Sequence, residues 1–319
     1  MLDGNRQAKA SRVRSLRRRI RLAAVTTALA LMGGVLSVVG GETSSASGLE
    51  VSLLAREIAP GEPFRVVVRS AVPLADVGAR FRGRDLTLIP VGGERTPSRR
   101  WEGWAMVGLL EQPGSSRLEI EGRTPSGQVR RESLGVPVDD KTFPTERLTV
   151  PSRYATPPEA VRQRIRREKA RLAQIYAMRT RRPFPDRPFI KPVAGDPTSR
   201  FGVRRFFNGK LRDPHSGLDL KAAPGTSVKA SAGGRVVLAD DLYYSGKLVI
   251  VDHGAGLFTL YAHLSRLEVR EGDELSQGQI LGLSGSTGRV TGPHLHWGAK
   301  IGDRPFDPRA LLDPALFRE

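Results

Sequence analysis

The 319-residue sequence contains no cysteine and only five histidines. The lack of cysteine excludes disulfide bonds and thiolate metal sites, but it says little about the compartment, because many exported proteins also lack cysteine. The sequence also lacks a His-Glu-x-x-His segment, so no glutamate stands beside a helical histidine pair as a general base. Any metal chemistry must therefore depend on histidine and carboxylate side chains.

Aromatic residues make up only 6% of the chain, whereas the formal net charge is +18. Such a charge invites a nucleic-acid interpretation, but a basic surface also suits anionic cell-wall polymers and lipid head groups. Residues 1–21 hold eight basic residues against one acidic residue, and a second basic block extends from about Arg162 to Lys191. Neither block is interleaved with aromatics in the way that a single-strand binder needs for base stacking. Charge alone therefore does not discriminate between these partners. A membrane-tethered nucleic-acid binder would leave the histidines unexplained, so we predict no nucleic-acid partner.

An uncharged, mainly apolar run of 19 residues, Leu22–Gly40, directly follows the first basic block. Its length is near the ~20 residues that span a bilayer, and its basic flank would stay in the cytoplasm. Two interpretations remain open: an uncleaved membrane anchor, or a signal peptide cleaved within the small-residue stretch Thr43–Ser47. The run is longer than a usual signal-peptide core, which favours the anchor. Under both interpretations everything after residue 48 is exported.

The rest of the chain is predicted to be mainly β. In residues 49–140, apolar residues alternate with polar ones between turn signals, which predicts a small β-sandwich of the immunoglobulin-like kind. Trp101 and Trp104 are interpreted as core residues rather than as a binding surface. The predicted strands are Phe64–Arg69, Asp85–Ile89, Trp101–Val107 and Arg117–Glu121, and the predicted turns are at residues 60–61, 92–93, 113–114 and 125–127.

Residues 141–194 are predicted to be a linker that contains one amphipathic helix. The first part, to residue 155, is polar and holds proline. Thr156-Pro157-Pro158-Glu159 then forms a capping box with proline at the first helical position. The helix should end near Met178 and pack on a neighbouring domain rather than lie on a membrane. Its apolar positions are Val161, Ile165, Leu172, Ile175 and Tyr176.

Residues 195–319 are predicted to form an antiparallel sheet, with strands at Gly234–Leu238, Lys247–Val251 and Leu257–Tyr261 separated by glycine-bearing turns. His253 closes one of these strands at a glycine turn, and we interpret it as a turn residue with no catalytic duty. Tyr261 is interpreted as a packing residue.

The other four histidines and one aspartate stand in short motifs of this last region. In a straight strand His215 and Asp219 would lie roughly 13 Å apart, too far to share one ion at ~2 Å. The chain must therefore turn between them, and Gly217 is the residue that permits it. His294 and His296 suit a strand, in which residues two apart point to the same side. The fourth histidine, His263, ends an alternating apolar run.

Catalytic zinc keeps three protein ligands and one open position. Four imidazoles and one carboxylate therefore supply a full ligand set and leave two imidazoles for proton transfer and for polarising a carbonyl. Spacing alone does not decide whether His294 or His296 is the ligand.

These residues resemble those of the lysostaphin/LytM-type zinc metallopeptidases, which cut peptide bonds in bacterial cell walls and have the duplicated-hybrid-motif fold. The resemblance covers roughly residues 195–315. It implies that His215, Asp219 and His296 bind one Zn²⁺, and that His263 and His294 are catalytic residues that do not bind the metal. The matching motifs, in the family's order, are Ser199-Arg200-Phe201-Gly202, His215-x-x-x-Asp219, Tyr261-Ala262-His263-Leu264, Gly272-Asp273, Gly278-Gln279, Gly288-Arg289 and Gly292-Pro293-His294-Leu295-His296.

The resemblance implies a zinc-dependent endopeptidase that hydrolyses peptide cross-links or stem peptides of peptidoglycan. The alternative is a non-catalytic cell-wall-binding activator of another hydrolase, which would have lost ligands that are all present here. The expected location is the cell envelope, either anchored in the inner membrane and facing the periplasm or cell wall, or secreted if the signal is cleaved. The expected partners are peptidoglycan and, through the N-terminal segment, the cytoplasmic membrane. Whether a regulatory protein partner must uncover the active site stays open.

Overall fold

The computed structural model describes residues 47–91, 96–148, 159–207, 210–211 and 213–318. The predicted membrane run at Leu22–Gly40, the turn at Gly92-Gly93 and the first three residues of the predicted capping box lie outside the described residues. Among the residues that are described, no helix has both the length and the apolar character needed to cross a membrane.

Two four-stranded antiparallel sheets form a β-sandwich, as predicted for this part of the chain. One sheet has the order β1-β2-β6-β5 and the other β4-β3-β7-β8, and buried residues of both sheets share one core. The strands are β1 (Leu49–Leu54), β2 (Pro63–Leu74), β3 (Asp76–Phe81), β4 (Arg84–Leu86), β5 (Leu88–Pro90), β6 (Ser98–Met106), β7 (Gly114–Arg123) and β8 (Val129–Val138).

The single strand predicted at Asp85–Ile89 is wrong, because the chain changes sheets in the middle of it. β4 ends at Leu86 and β5 begins at Leu88 in the opposite sheet. The crossing residue, Thr87, passes close to β6: its carbonyl oxygen lies 2.5 Å from where a Cβ of Gly103 would be. Only glycine at position 103 leaves room for this crossing. The alternation of apolar and polar residues continues through Thr87, so the sequence pattern does not indicate the change of sheet.

The two tryptophans of β6 are both buried, as predicted, but in different places. Trp101 lies in the sandwich core, whereas Trp104, three residues later, faces the other side of the sheet. There it packs with Phe306 and Leu311, near the C-terminus of the chain. The outer face of β6 therefore joins the sandwich to the rest of the structure.

A ten-stranded antiparallel sheet carries the second half of the chain. Its central path is β10-β13-β20-β17-β16-β15-β18, with β14, β19 and β21 paired beside it. The strands are β10 (Pro197–Ser199), β13 (Gly217–Leu220), β14 (Ser227–Lys229), β15 (Gly234–Leu242), β16 (Gly246–Asp252), β17 (Leu257–Leu267), β18 (Glu274–Leu275), β19 (Ile280–Ser284), β20 (Leu295–Ile301) and β21 (Arg304–Phe306). Two short 3₁₀ helices, Pro308–Leu312 and Pro314–Leu316, follow. The three strands predicted here are confirmed.

The period of two along β16 divides the centre of this sheet between two cores. Val249 and Val251 face one core, while Leu248 and Ile250 face the other. Helix α1 (Glu159–Tyr176) covers the second core with its C-terminal apolar residues. The helix was predicted to pack on a neighbouring domain, and it lies against the ten-stranded sheet.

The polar segment after the sandwich, which was predicted to be a linker, also contributes a strand. β9 (Thr145–Leu148) pairs in parallel with β11 (Arg204–Phe207), which also pairs with β12 (Lys210–Leu211). Phe143 anchors this segment, since a Cβ on Gly202 would lie 2.1 Å from its ring. The division of the chain at residues 48, 140 and 194 stays a prediction.

Candidate metal centre

Two neighbouring strands and the loop before them bring His215, Asp219 and His296 together. Asp219 on β13 stands directly opposite His296 on β20, so their side chains leave the sheet on the same side. His215 precedes β13, and its backbone is fixed by hydrogen bonds with Gly202 and Val203, each about 2.9 Å or shorter. The site is thus assembled from backbone pairings on rigid strands.

Three donor atoms converge within this group. Asp219 Oδ1 lies 3.0 Å from His215 Nε2 and 2.8 Å from His296 Nδ1, and the two nitrogens are 3.2 Å apart. Zinc ligands at 2.0–2.1 Å in a tetrahedron would be separated by ~3.3 Å. The observed triangle is close to one face of such a tetrahedron.

The position of the proton on the His215 ring favours a metal ion beside its other nitrogen. Its Nδ1 lies 2.8 Å from the carbonyl oxygen of Arg200, which can only accept, so Nδ1 carries the proton and neutral His215 presents a lone pair at Nε2. That lone pair faces the Asp219 carboxylate. Two acceptors 3.0 Å apart require a proton or a metal ion between them, so the donor set fits a divalent metal.

The prediction that Gly217 provides a turn is wrong. Gly217 is the first residue of β13, and its φ is not in the left-handed region. Its small size is needed instead because a Cβ would lie 2.7 Å from both Cε1 and Nε2 of the His296 ring. Glycine at this position therefore makes room for a candidate ligand.

His263 stands at a β-bulge, where two residues of β17 face one residue of β16. Its φ is 66°, which is uncommon for a residue with a side chain and reorients the ring. Its Nδ1 donates to the carbonyl oxygen of Thr287 at 2.9 Å, leaving Nε2 unprotonated. Burial, with repulsion from His296, lowers the pKa of His263 to about 4. The ring is therefore neutral at neutral pH and able to accept a proton.

His294 lies next to His263, with ring centroids 5.0 Å apart. Its Nδ1 donates to the carbonyl oxygen of Gly292 at 2.9 Å, and its Nε2 is 3.7 Å from Asp219 Oδ1. His294 and His296 point to the same side, as the strand spacing predicts. Both side chains are 18% exposed, so solvent reaches the site.

The fifth histidine, His253, directly follows β16 at the turn to β17, as predicted, and its ring is buried and hydrogen-bonded. Its ring nitrogens lie 2.7 Å from the carbonyl oxygen of Gly233 and 2.8 Å from Thr259 Oγ1. Tyr261 belongs to the same buried network, since its hydroxyl accepts from the backbone of Ser231 at 2.8 Å. The packing role predicted for Tyr261 agrees with this arrangement.

The burial of His253 gives a measurable pH dependence of stability. Burial lowers the pKa of His253 from 6.5 to about 4. Between these values the unfolded chain binds a proton that the folded chain does not, so the free energy of unfolding falls as the pH falls, by about 3 kcal/mol at most. We expect His253→Gln to be less stable at pH 7 but to have a shallower slope between pH 7 and pH 4. Denaturant titrations of both proteins across this range measure the difference; equal slopes would contradict it.

The sequence did not predict the backbone carbonyls that determine which ring nitrogen of each site histidine carries the proton. The carbonyls of Arg200, Thr287 and Gly292 each accept from an Nδ1. Two of these residues lie in motifs that carried the family resemblance, and Thr287 directly precedes a third. A motif states residue types, however, and gives no direction for a carbonyl group.

Comparisons with known proteins match the segment of the chain that holds the candidate site. The model of a family described as peptidase family M23 matches residues 213–308. Peptidoglycan DD-endopeptidase ShyA of Vibrio cholerae is 46% identical over 111 residues, which are 34% of this chain and 26% of ShyA. DD-carboxypeptidase/endopeptidase Mpg of Neisseria meningitidis is 42% identical over 100 residues, 31% of this chain and 23% of Mpg. The chain thus spans about a quarter of the length of these curated relatives.

A crystal structure from Pseudomonas aeruginosa, assigned to peptidase M23, is similar over a much larger share. The identity is 30% and the TM-score 0.59, and the match covers 81% of this chain and 96% of that one. The match therefore includes most of the chain outside the segment that the family model covers. The resemblance inferred from the motifs is confirmed: the chain belongs to peptidase family M23.

Proposed function

We propose that this protein is a zinc-dependent endopeptidase that hydrolyses peptide cross-links or stem peptides of bacterial peptidoglycan. The observation that carries the proposal is the triangle of His215 Nε2, Asp219 Oδ1 and His296 Nδ1, with sides of 2.8–3.2 Å, beside two further imidazoles. The names of ShyA and Mpg describe a peptidoglycan DD-endopeptidase and a DD-carboxypeptidase/endopeptidase, which supports this class of substrate.

The proposed metal is zinc, held by His215, Asp219 and His296. Two imidazoles and one carboxylate are a ligand set of catalytic zinc sites, which keep a fourth position open. When bound, zinc polarises a carbonyl group and lowers the pKa of water to about 7.

The proposed catalytic residues are His263 and His294. Each has its proton fixed on Nδ1 by a backbone carbonyl, so each presents Nε2 as a base. One imidazole takes a proton from the attacking water, and an imidazolium formed in this way can stabilise the oxyanion and protonate the leaving amine. No glutamate is required for these steps.

The proposed location follows from the proposed substrate. Peptidoglycan lies outside the cytoplasmic membrane, so residues 49–319 must be exported. The basic segment and apolar run of the first 48 residues would supply the signal or the anchor. A protein anchored in this way would act from the outer face of the inner membrane.

Removal of the metal tests this proposal. We expect the full chain to release soluble peptides from purified peptidoglycan, to lose this activity with a zinc chelator, and to regain it when Zn²⁺ is restored. Metal analysis of the same samples should follow the activity. A protein that binds zinc but releases nothing would favour the non-catalytic activator, or an enzyme that requires a regulatory partner. A protein that binds no zinc would contradict the proposal directly.

A further inference from the structure

The two oxygens of the Asp219 carboxylate have different neighbours. Oδ1 faces His215 and His296 at 3.0 and 2.8 Å. Oδ2 faces the guanidinium of Arg205, with Nη2 at 3.6 Å. The carboxylate therefore meets the candidate metal position with one oxygen and a fixed positive charge with the other.

Arg205 is itself held in place from two sides. Its Nη2 donates to Ser199 Oγ at 2.7 Å, and its Nε lies 3.6 Å from Glu146 Oε2. Glu146 is the residue of β9 that stands opposite Arg205 on β11. The Arg205 side chain is 24% exposed. The guanidinium is thus a largely enclosed group with three oxygen neighbours, and one of them belongs to the segment that follows the sandwich.

We propose that Arg205 is a positioning residue that keeps Oδ2 of Asp219 turned away from the metal, so that the carboxylate binds through Oδ1 alone. The inference rests on the proposed function, because it concerns the same metal centre. A carboxylate can bind a cation through one oxygen or two, and rotation about its terminal bond is soft. A guanidinium beside Oδ2 restricts this rotation, because it attracts Oδ2 and so holds it away from the metal position.

A nearby positive charge also repels a metal cation, so two effects oppose each other. The guanidinium lies beyond the carboxylate, whose negative charge stands between it and the metal position. Removal of outer partners that orient metal ligands commonly weakens metal affinity by about 10- to 100-fold. Orientation therefore outweighs repulsion, and loss of Arg205 should weaken binding rather than strengthen it.

The neighbouring Arg204 provides a matched control. It lies on the same strand and carries the same charge, but its side chain is exposed on the other side of β11. Arg204→Ala removes one positive charge from the same strand without removing the neighbour of Asp219. A comparison of the two variants separates orientation from net charge.

The test is metal binding by the full chain, measured by chelator competition. We expect Arg205→Ala to bind Zn²⁺ about 10- to 100-fold more weakly, Arg205→Lys to recover part of the loss, and Arg204→Ala to match the unaltered protein. Arg205→Lys also keeps the experiment informative if Arg205→Ala does not fold. Glu146→Gln, which removes one charged neighbour of Arg205, should weaken Zn²⁺ binding to a smaller extent.

A spectroscopic measurement separates positioning from general stability. With Co²⁺ in place of zinc, a carboxylate that gains a second metal contact raises the coordination number and weakens the visible absorption. We expect this change in Arg205→Ala and not in Arg204→Ala. An Arg205→Ala protein with unaltered affinity and spectrum would overturn the positioning role, while hydrolysis by the unaltered protein would leave the proposed function standing. An unaltered protein that binds neither metal would overturn both.

Discussion

Replacing His215 with alanine is expected to remove bound zinc and peptidoglycan hydrolysis together. His215 supplies one corner of the donor triangle, and its Nε2 lies within 3.2 Å of both other candidate ligand atoms. Two remaining ligands do not make a catalytic zinc site, which needs three. Zinc content should fall from about one ion per chain toward none, and peptide release should fall to the background without enzyme. Metal analysis and a soluble-peptide assay on the same preparation measure both.

The control for this variant is a second buried histidine outside the triangle. His253→Gln removes an imidazole of similar burial but touches none of the five site residues through its ring nitrogens. It should keep its zinc and its hydrolytic activity at pH 7. If His215→Ala retained one zinc of ordinary affinity, the ligand assignment would be wrong; if His253→Gln also lost zinc, the loss would reflect general unfolding.

The second large effect concerns His263 and His294. Replacing either residue should reduce hydrolysis without removing the bound metal. We expect His294→Ala to reduce hydrolysis by about 10²- to 10⁴-fold, the usual contribution of a general acid or base, while zinc content is unchanged. His263 needs a different substitution because its φ is 66°. Asparagine tolerates this backbone conformation better than alanine does, so His263→Asn tests the ring without adding backbone strain.

Zinc content is the measurement that distinguishes these variants from His215→Ala. If His294→Ala lost both metal and activity, the roles of His294 and His296 would need to be exchanged. If His263→Asn did so, His263 would have to be a ligand. If both variants hydrolysed peptidoglycan at the ordinary rate, neither imidazole could be the base. Thermal unfolding of each variant shows whether the fold is retained.

The pattern of the sequence predicted the architecture where one period held over a whole element. Alternation predicted strands of the sandwich such as β7, in which Leu118 and Ile120 face the core. Apolar runs between glycine-bearing turns predicted strands such as β16, in which residues 248–251 face two separate cores in turn. Helical spacing predicted α1 because the helix covers a sheet with one face. The same alternation failed at Thr87, where the chain changes sheets without any change in pattern, and it gave no signal for β9, a polar strand.

For the site, the sequence predicted which residues meet and the structure shows how they are held. His215, Asp219, His263, His294 and His296 were recognisable because few other histidines compete with them and the motifs follow a known order. The reason for Gly217 was not predictable, since it depends on a ring that is 79 positions away in the sequence. Arg205 was equally hidden, because only folding brings its guanidinium to Oδ2 of Asp219.

The arrangement of β10 bears on how short a working version of this protein can be. The family match begins at residue 213, yet β10, which pairs with β13, and the segment that carries Arg200 and Arg205 all lie before it. Cutting the gene at that point would leave β13 with a bare edge of unpaired amide and carbonyl groups, which invites a second chain to add to the sheet. A shortened form of the protein should therefore keep the chain from β9 onward, so that the edge beside Asp219 stays covered.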